Sequence, residues 1–202
     1  AYRVPMSSRT AKGTPSVQLL PIPREEQITS IVPVEAFDNK RYLLMLTKAG
    51  FIKRTPLSAF SKIRSNGLIA INLEKGDALT WVRLSTEGDS VLIGSSRGMT
   101  IHFRLDITEL RPLGRTARGV KSMNLKDGDK LVSMDVLTSD LVDQLAKIDN
   151  ENEEDLENNS SNGPWVLVAS AFGLGKRVPV TQFRLQKRAG MGLRAIKFRL
   201  KD

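Results

Sequence analysis

The sequence predicts an all-β fold, a propeller-like array of four-stranded units, and three observations carry that prediction. One order of parts recurs: apolar strand, glycine turn, second strand, basic glycine-ended loop, third strand, Gly-Asp turn and last strand, twice in full and once in part. The turn glycines Gly50 and Gly98 lie 48 positions apart and the loop glycines Gly67 and Gly119 lie 52 apart, a period characteristic of propeller blades. Apolar residues make up 40% of the 202 residues but aromatics only 5%, so a core of Val, Ile, Leu and Met is expected, which suits stacked sheets. A single unit cannot bury both faces of its sheet, so neighbouring units must stack.

In chain order, residues 1–41 are expected to hold the end of one unit and the start of the next. Tyr2 to Gly13 reads as the back half of an earlier unit, and Pro21 and Pro23 end a strand because proline cannot donate to a ladder. The β-branched stretch Ile28 to Val34 predicts a strand, and Asp38-Asn39 a turn. The first full unit, 42–90, runs through strand Tyr42 to Leu46, the turn Ala49-Gly50, strand Phe51 to Leu57 and the loop Ser61 to Gly67. Strand Leu68 to Leu73, the turn Lys75-Gly76-Asp77 and strand Ala78 to Leu84 complete it.

The second unit, 91–138, repeats the order with Val91 to Ile93, Arg97-Gly98, Met99 to Leu105, the loop Leu110 to Gly119, Val120 to Leu125, Asp127-Gly128-Asp129 and Lys130 to Val136. The spacing from Gly98 to Gly173 is 75, which falls to about 49 without the insert 139–163. In that insert, leucines at helical spacing predict a short helix within Leu137 to Ile148, and Asn150 to Gly163 is polar enough to be expected mobile. The third unit, 164–202, is incomplete: Trp165 to Ala169, the turn Phe172-Gly173, strand Leu174 to Val180 and the loop Arg184 to Gly190. Because the chain opens inside a unit without an initiator Met, it is expected to be a fragment of a longer protein.

Cysteine is absent, which excludes disulfide scaffolds and thiolate metal sites. No run of about 18 apolar residues occurs, so no membrane-spanning segment is predicted. The net charge of +9 is uneven: the insert 139–163 carries eight acids and one base, leaving 30 bases against 14 acids, or +16, on the repeats. Such a field favours a polyanionic partner.

The bases recur at two places in the units. One is a pair early in the second strand, Lys53 and Arg54 and again Lys176 and Arg177. The other is the glycine-ended loop and its exit: Arg9 and Lys12; Lys62 and Arg64; Arg111, Arg115, Arg118 and Lys121; Arg184, Lys187, Arg188 and Arg194. Units related by a near-constant rotation would set these loops along one rim as a belt of cations. Duplex DNA carries one charge per about 1.7 Å of axis, so such a belt suits its backbone. The loop glycines let main-chain amides approach phosphate, and Thr10, Ser65 and Thr116 can donate to the same oxygens. With no recognition helix, no finger spacing and few aromatics, recognition of shape and backbone is expected rather than of sequence.

Any one Lys or Arg in a turn is more often merely solvated, and it is the recurrence that favours binding. Catalysis finds little support: His102 is the sole histidine, mid-strand, and reads as packed or surface. Gly190-Met-Gly192-Leu-Arg-Ala195 matches a relaxed dinucleotide fingerprint, but a strand pattern follows where a helix is needed. Asp77, Asp127 and Asp129 read as turn residues.

Lys53-Arg-Thr-Pro-Leu-Ser-Ala-Phe60, Gly67-Leu-Ile-Ala-Ile-Asn-Leu-Glu-Lys-Gly-Asp77 and Arg111-Pro-Leu-Gly-Arg-Thr-Ala-Arg-Gly-Val120 resemble the carboxy-terminal domain of DNA gyrase A, over the whole chain except the insert. The resemblance implies a partial β-pinwheel of about three and a half four-stranded blades that exchange strands, with duplex DNA bent around the basic outer rim. It further implies an A2B2 complex with gyrase B that supercoils DNA with ATP, and a cytoplasmic or plastid location. The catalytic tyrosine, ATP and Mg2+ would act elsewhere in that complex, so no cofactor is expected here. The family's bending box, Gln-basic-Arg-Gly-Gly-Lys-Gly, has only a degenerate relative, Gln186-Lys-Arg-Ala-Gly-Met-Gly192. The corresponding domain of topoisomerase IV is the near relative and remains an alternative, although the loop sequences favour gyrase of the cyanobacterial and plastid kind. An alternative from another class is a scaffold whose basic rim meets an acidic protein.

Overall fold

Short strands on either side of positive-φ glycines give antiparallel hairpins. In the computed structural model, which describes residues 5–20, 23, 26–64, 66–148 and 164–198, a single helical turn α1 (Ser16–Leu19) precedes the sheets. Strand β1 (Arg41–Thr47) then turns into β2 (Phe51–Pro56) at Gly50. Gly50 has φ 89° and its amide donates to the Thr47 carbonyl at 3.0 Å. The second unit repeats this with β4 (Ser90–Ser95), Gly98 at φ 74° and β5 (Met99–Arg104). Each hairpin gains a third strand from the end of its own unit, β3 (Leu79–Thr86) and β7 (Leu131–Leu137) respectively.

The fourth strand of each sheet comes from the next unit. Strand β6 (Val120–Lys121), in the second unit, pairs with β2 through Ile52↔Val120 and Phe51↔Lys121, so the first sheet has the order β3-β1-β2-β6. Strand β10 (Leu193–Arg194), in the third unit, pairs with β5, giving the order β10-β5-β4-β7. The third unit shows a two-stranded sheet, β8 (Trp165–Ala169) with β9 (Gly175–Pro179). The first two blades are thus four-stranded and the fold all-β, with strands crossing between neighbours as in a pinwheel.

The core lies between units as the stacking requirement demands. Leu44, Leu46 and Ile52 of the first unit cluster with Val91, Ile93, Ile101, Phe103, Met123 and Met134 of the second. A smaller cluster joins Leu92 to Val178, Phe183 and Ala195 of the third.

Several expected elements differ. Ile28 to Val34 is not a strand, and Ile31 is 87% exposed: its β-branched residues meet no partner strand among the described residues. Leu68 to Leu73 is likewise unpaired, with Ile69 64% exposed, because its position in the repeat is that of β6 and β10, which pair with the sheet of the preceding unit. The strand expected over Val120 to Leu125 is only the two residues of β6. A helix α2 (Ser139–Ile148) follows β7, its first amide donating to Asp89 Oδ1 at 2.9 Å. The start of the chain as far as Val4, Pro21, Ser65 and the polar stretch after Asp149 as far as Gly163 lie outside the described residues.

Candidate nucleic-acid interface

The loop Leu110 to Gly119 is bound to the sheet before it by the strand pair Lys53 and Arg54. Both side chains are fully buried, which removes them from the expected set of phosphate contacts. Lys53 sends its ammonium under the loop and donates to the carbonyls of Gly114 (3.0 Å), Arg115 (2.6 Å) and Ala117 (3.0 Å). Burial pushes its pKa down from 10.5 to about 8, so it is still cationic at neutral pH. Arg54 donates through Nε to the Leu110 carbonyl (2.5 Å) and through Nη1 to the Leu105 carbonyl (2.7 Å) and to Glu87 (2.7 Å). The Arg54 carbonyl in turn accepts the Leu113 amide at 2.8 Å. Sequence reading missed this because a Lys-Arg pair in a β-strand carries no mark of what will cover it.

The next loop repeats the relation. The Gln186 amide donates to the His102 carbonyl at 2.8 Å, and His102 occupies the register position of Arg54, since Leu92↔His102 matches Leu44↔Arg54. Its buried ring donates from Nδ1 to the Phe183 carbonyl at 2.6 Å, which leaves Nε2 to accept the Ser90 hydroxyl at 2.7 Å. Burial, offset by the Phe183 carbonyl and reinforced by the charge of Arg104, holds its pKa below 6.5. Gly119 and Gly192 end the two loops with φ 102° and 78°, and a Cβ on either would stand 2.6 Å from the carbonyl of Ile52 or Thr100. Two successive loops therefore bear the same relation to their sheets.

The remaining bases stand as follows. Arg111 and Arg118 are exposed and Arg115 half-buried; Arg118 stacks 4.2 Å from the centre of the Phe51 ring and pairs with Glu74. Lys121 is exposed and donates to Asn124 at 2.9 Å. Arg188 is half-buried: its amide donates to Glu109 at 2.9 Å, its Nε to the Glu109 carbonyl at 2.9 Å, and its Nη1 to the Lys121 carbonyl at 2.6 Å. Arg184, Lys187 and Arg194 are exposed, as are Lys62 and Arg64. Lys176 and Arg177 hold the register positions of Lys53 and Arg54 but are exposed, Arg177 lying 5.0 Å from the centre of the Trp165 ring. Arg9 and Lys12 are exposed in a segment that joins no sheet, so the structure does not bring them to a blade.

Three further cations join Arg194. Arg97, Lys126 and Lys197 line with it a cleft of about 480 Å³ at the hairpin tips. They were missed because they stand outside the recurring loop, Arg97 and Lys126 at turns and Lys197 after β10. Asp129, in the same cleft, is held below the usual carboxylate range: burial raises its pKa, but the hydroxyls of Ser95 and Ser96 and the amides of Arg97 and Lys130, all donors to it, outweigh that. It ties two turns together, as Asp77 does by accepting the Ala49 amide at 2.8 Å.

A strand-exchanging, propeller-type β domain with cationic glycine-ended loops is the class that fold and site define. The chain belongs to the DNA gyrase C-terminal domain family: the family model for the DNA gyrase C-terminal domain, beta-propeller, matches residues 41–86, 89–138 and 164–202. The chain is 55% identical to the DNA gyrase A protein of Synechocystis sp. across all of its own length and 24% of that protein. It is 44% identical to the chloroplastic/mitochondrial DNA gyrase A protein of Arabidopsis thaliana, over 98% of this chain and 20% of that one. The chain thus spans about a quarter, or less, of the curated relatives it matches. Among solved structures, the C-terminal domain of DNA topoisomerase IV aligns with a TM-score of 0.71 at 28% identity, covering 90% of this chain and 49% of that one. A DNA gyrase A C-terminal domain aligns at 0.68 and 23% identity over 91% and 53%, a likeness of fold. No helix among the described residues is long and apolar enough to cross a membrane.

Proposed function

We propose that this chain binds duplex DNA along a rim built from its glycine-ended loops and bends it by electrostatic attraction, with little sequence preference. The observation that carries this is the repetition of one loop-to-sheet relation in successive units, with Arg111, Arg115 and Arg118 on one loop and Arg184 and Lys187 on the next. Lys62 and Arg64, Lys121, Arg194, Lys176 and Arg177 extend the charge, and Arg97, Lys126 and Lys197 add to it. Arg188 contributes its field more than direct contact, because main-chain carbonyls engage its guanidinium.

On this reading the chain is the DNA-wrapping part of a gyrase A protein. With gyrase B in an A2B2 complex it supports ATP-dependent negative supercoiling in a bacterial cytoplasm or a plastid, ATP and Mg2+ acting elsewhere in the complex. The fold likeness to topoisomerase IV supports a second reading, the DNA-binding domain of that enzyme.

Binding against salt tests the proposal, on a short duplex and on one long enough to wrap. A slope of log affinity against log salt of about −0.9 per phosphate, steeper on the longer DNA, with the DNA ends approaching each other by energy transfer, is the expected result. A shallow slope that ignores length would instead leave a basic scaffold for an acidic protein.

A further inference from the structure

The buried ammonium of Lys53 does more than fasten a loop, because it selects which way the loop's peptide groups face. It accepts no hydrogen bond and donates to three carbonyls, those of Gly114, Arg115 and Ala117. No peptide bond in the described chain is cis, and in a trans peptide the N–H points opposite to the C=O. The N–H groups sharing those peptide units, of Arg115, Thr116 and Arg118, therefore point away from Lys53. None of the three donates to a protein acceptor among the described residues. The Ala117 amide, between them in sequence, donates to the Gly114 carbonyl at 3.2 Å, so the outward set is the adjacent pair Arg115 and Thr116 with Arg118 beyond. Adjacent outward amides are the element of an anion-binding concavity, and Arg115 and Arg118 place cations beside it.

We propose that Lys53 is a positioning residue that makes the Gly114 to Arg118 loop a seat for one phosphate group of bound DNA, its three carbonyls drawn inward and its three amides turned outward. This rests on the reading of the rim as a DNA-binding surface. The contrast within the chain supports it. The equivalent position in the second unit is Ile101, which pairs with Ile93 as Lys53 pairs with Met45, so an apolar residue fits that place in the sheet and the lysine is not needed to fill it. The loop that covers Ile101 is fastened the other way round, by its own Arg188, whose guanidinium donates to the Glu109 and Lys121 carbonyls of the preceding unit.

The seat has a pH signature. An uncharged amine keeps two protons and presents a lone pair, so it can satisfy two carbonyls and repels the third. The charged groups on the elements packed against Lys53 are Arg41 on β1, Arg54 with Glu87 on the strand side, Lys121 on the exchanged strand, and Arg111, Arg115 and Arg118 with Glu74 on the loop side. Lys53, with its pKa pushed down by burial to about 8, changes its charge between pH 6.5 and 9.

The experiment is anisotropy titration of a short labelled duplex from pH 6.5 to 9 at fixed salt, with the chain and with Lys53→Ile. The chain is expected to lose about fivefold in affinity across pH 8, and Lys53→Ile to bind weakly and evenly throughout. Amide spectra of the unaltered chain add a second readout: Arg115, Thr116 and Arg118 should shift on adding duplex at pH 6.5 and less at pH 9. If the chain binds DNA with a steep salt slope but a flat pH profile, the seat is overturned and the rim stands, whether or not Lys53→Ile folds. If neither protein binds duplex at any pH, the rim reading falls and the seat with it.

Discussion

His102 occupies in the second sheet the place that Arg54 occupies in the first, and each donates to a main-chain carbonyl of the loop ahead, Phe183 and Leu110 respectively. One strand position is thus the joint between consecutive blades, filled by two different side chains for the same task.

The joint in the second blade should be sensitive to acid. His102 is held neutral in the fold, with its pKa below 6.5, while in the unfolded chain it takes up a proton near 6.5. Its stabilising effect is therefore full above pH 6.5 and is lost as pH falls through the folded value, at no more than ~1.4 kcal/mol per pH unit for one proton. Urea unfolding from pH 7.5 to 5.5 should show this slope, and His102→Gln should lack it; equal slopes would show that another group titrates there.

At the first joint, Arg54→Met removes the donors to the Leu105 and Leu110 carbonyls and leaves Glu87 unpaired. A loss of about 2–4 kcal/mol in thermal or urea unfolding is expected, from the two buried carbonyls left without a donor, while Glu87, 54% exposed, adds little. A loss below ~0.5 kcal/mol, the range of surface changes, would mean that the joint holds by its apolar contacts alone.

The loop glycines differ by their neighbours. Gly119 and Gly67 both have positive φ, but a Cβ at 119 collides with the Ile52 carbonyl at 2.6 Å whereas at 67 it meets nothing within 4 Å. Gly67→Ala should cost about 1–2 kcal/mol from backbone strain alone, and Gly119→Ala about 1–3 kcal/mol more because the exchanged strand must shift. Similar losses at both would contradict the close approach.

Glu74 pairs with Arg118, so on the proposed rim it would compete with DNA phosphate for that guanidinium. Glu74→Gln should tighten duplex binding by about twofold, and Arg115→Glu with Arg118→Glu should weaken it by about tenfold or more without unfolding the blade, with a salt slope lower by roughly 0.9 for each phosphate no longer engaged. An unchanged affinity in a folded Arg115→Glu, Arg118→Glu protein would move the rim elsewhere.

The segment 149–163 carries six acids and no base, a chemical mimic of a polyanion. If it occupies the rim, its deletion tightens DNA binding at matched salt, and the gain shrinks as salt rises. Deletion is confined to these residues because α2 before them buries Val142. No change on deletion would exclude such competition.

Local sequence carries the repeat, the strand-turn-strand pattern and the sign of the surface, because apolar runs, turn glycines and net charge are local or additive properties that need no partner. It also marked the exposed loop cations Arg111, Arg118, Arg184 and Lys187. Packing between units settles which sheet each strand completes and which cations face water. Strand Val120–Lys121 belongs to the sheet of the preceding unit, and Leu68 to Leu73, alike in sequence, pairs with nothing among the described residues. Lys53 and Arg54 read like Lys176 and Arg177, yet the first pair is buried beneath a loop that begins over fifty residues later and the second is exposed. The reason is physical: exposure and pairing are set by what arrives from the neighbouring unit, and neither is encoded in the residues that receive it.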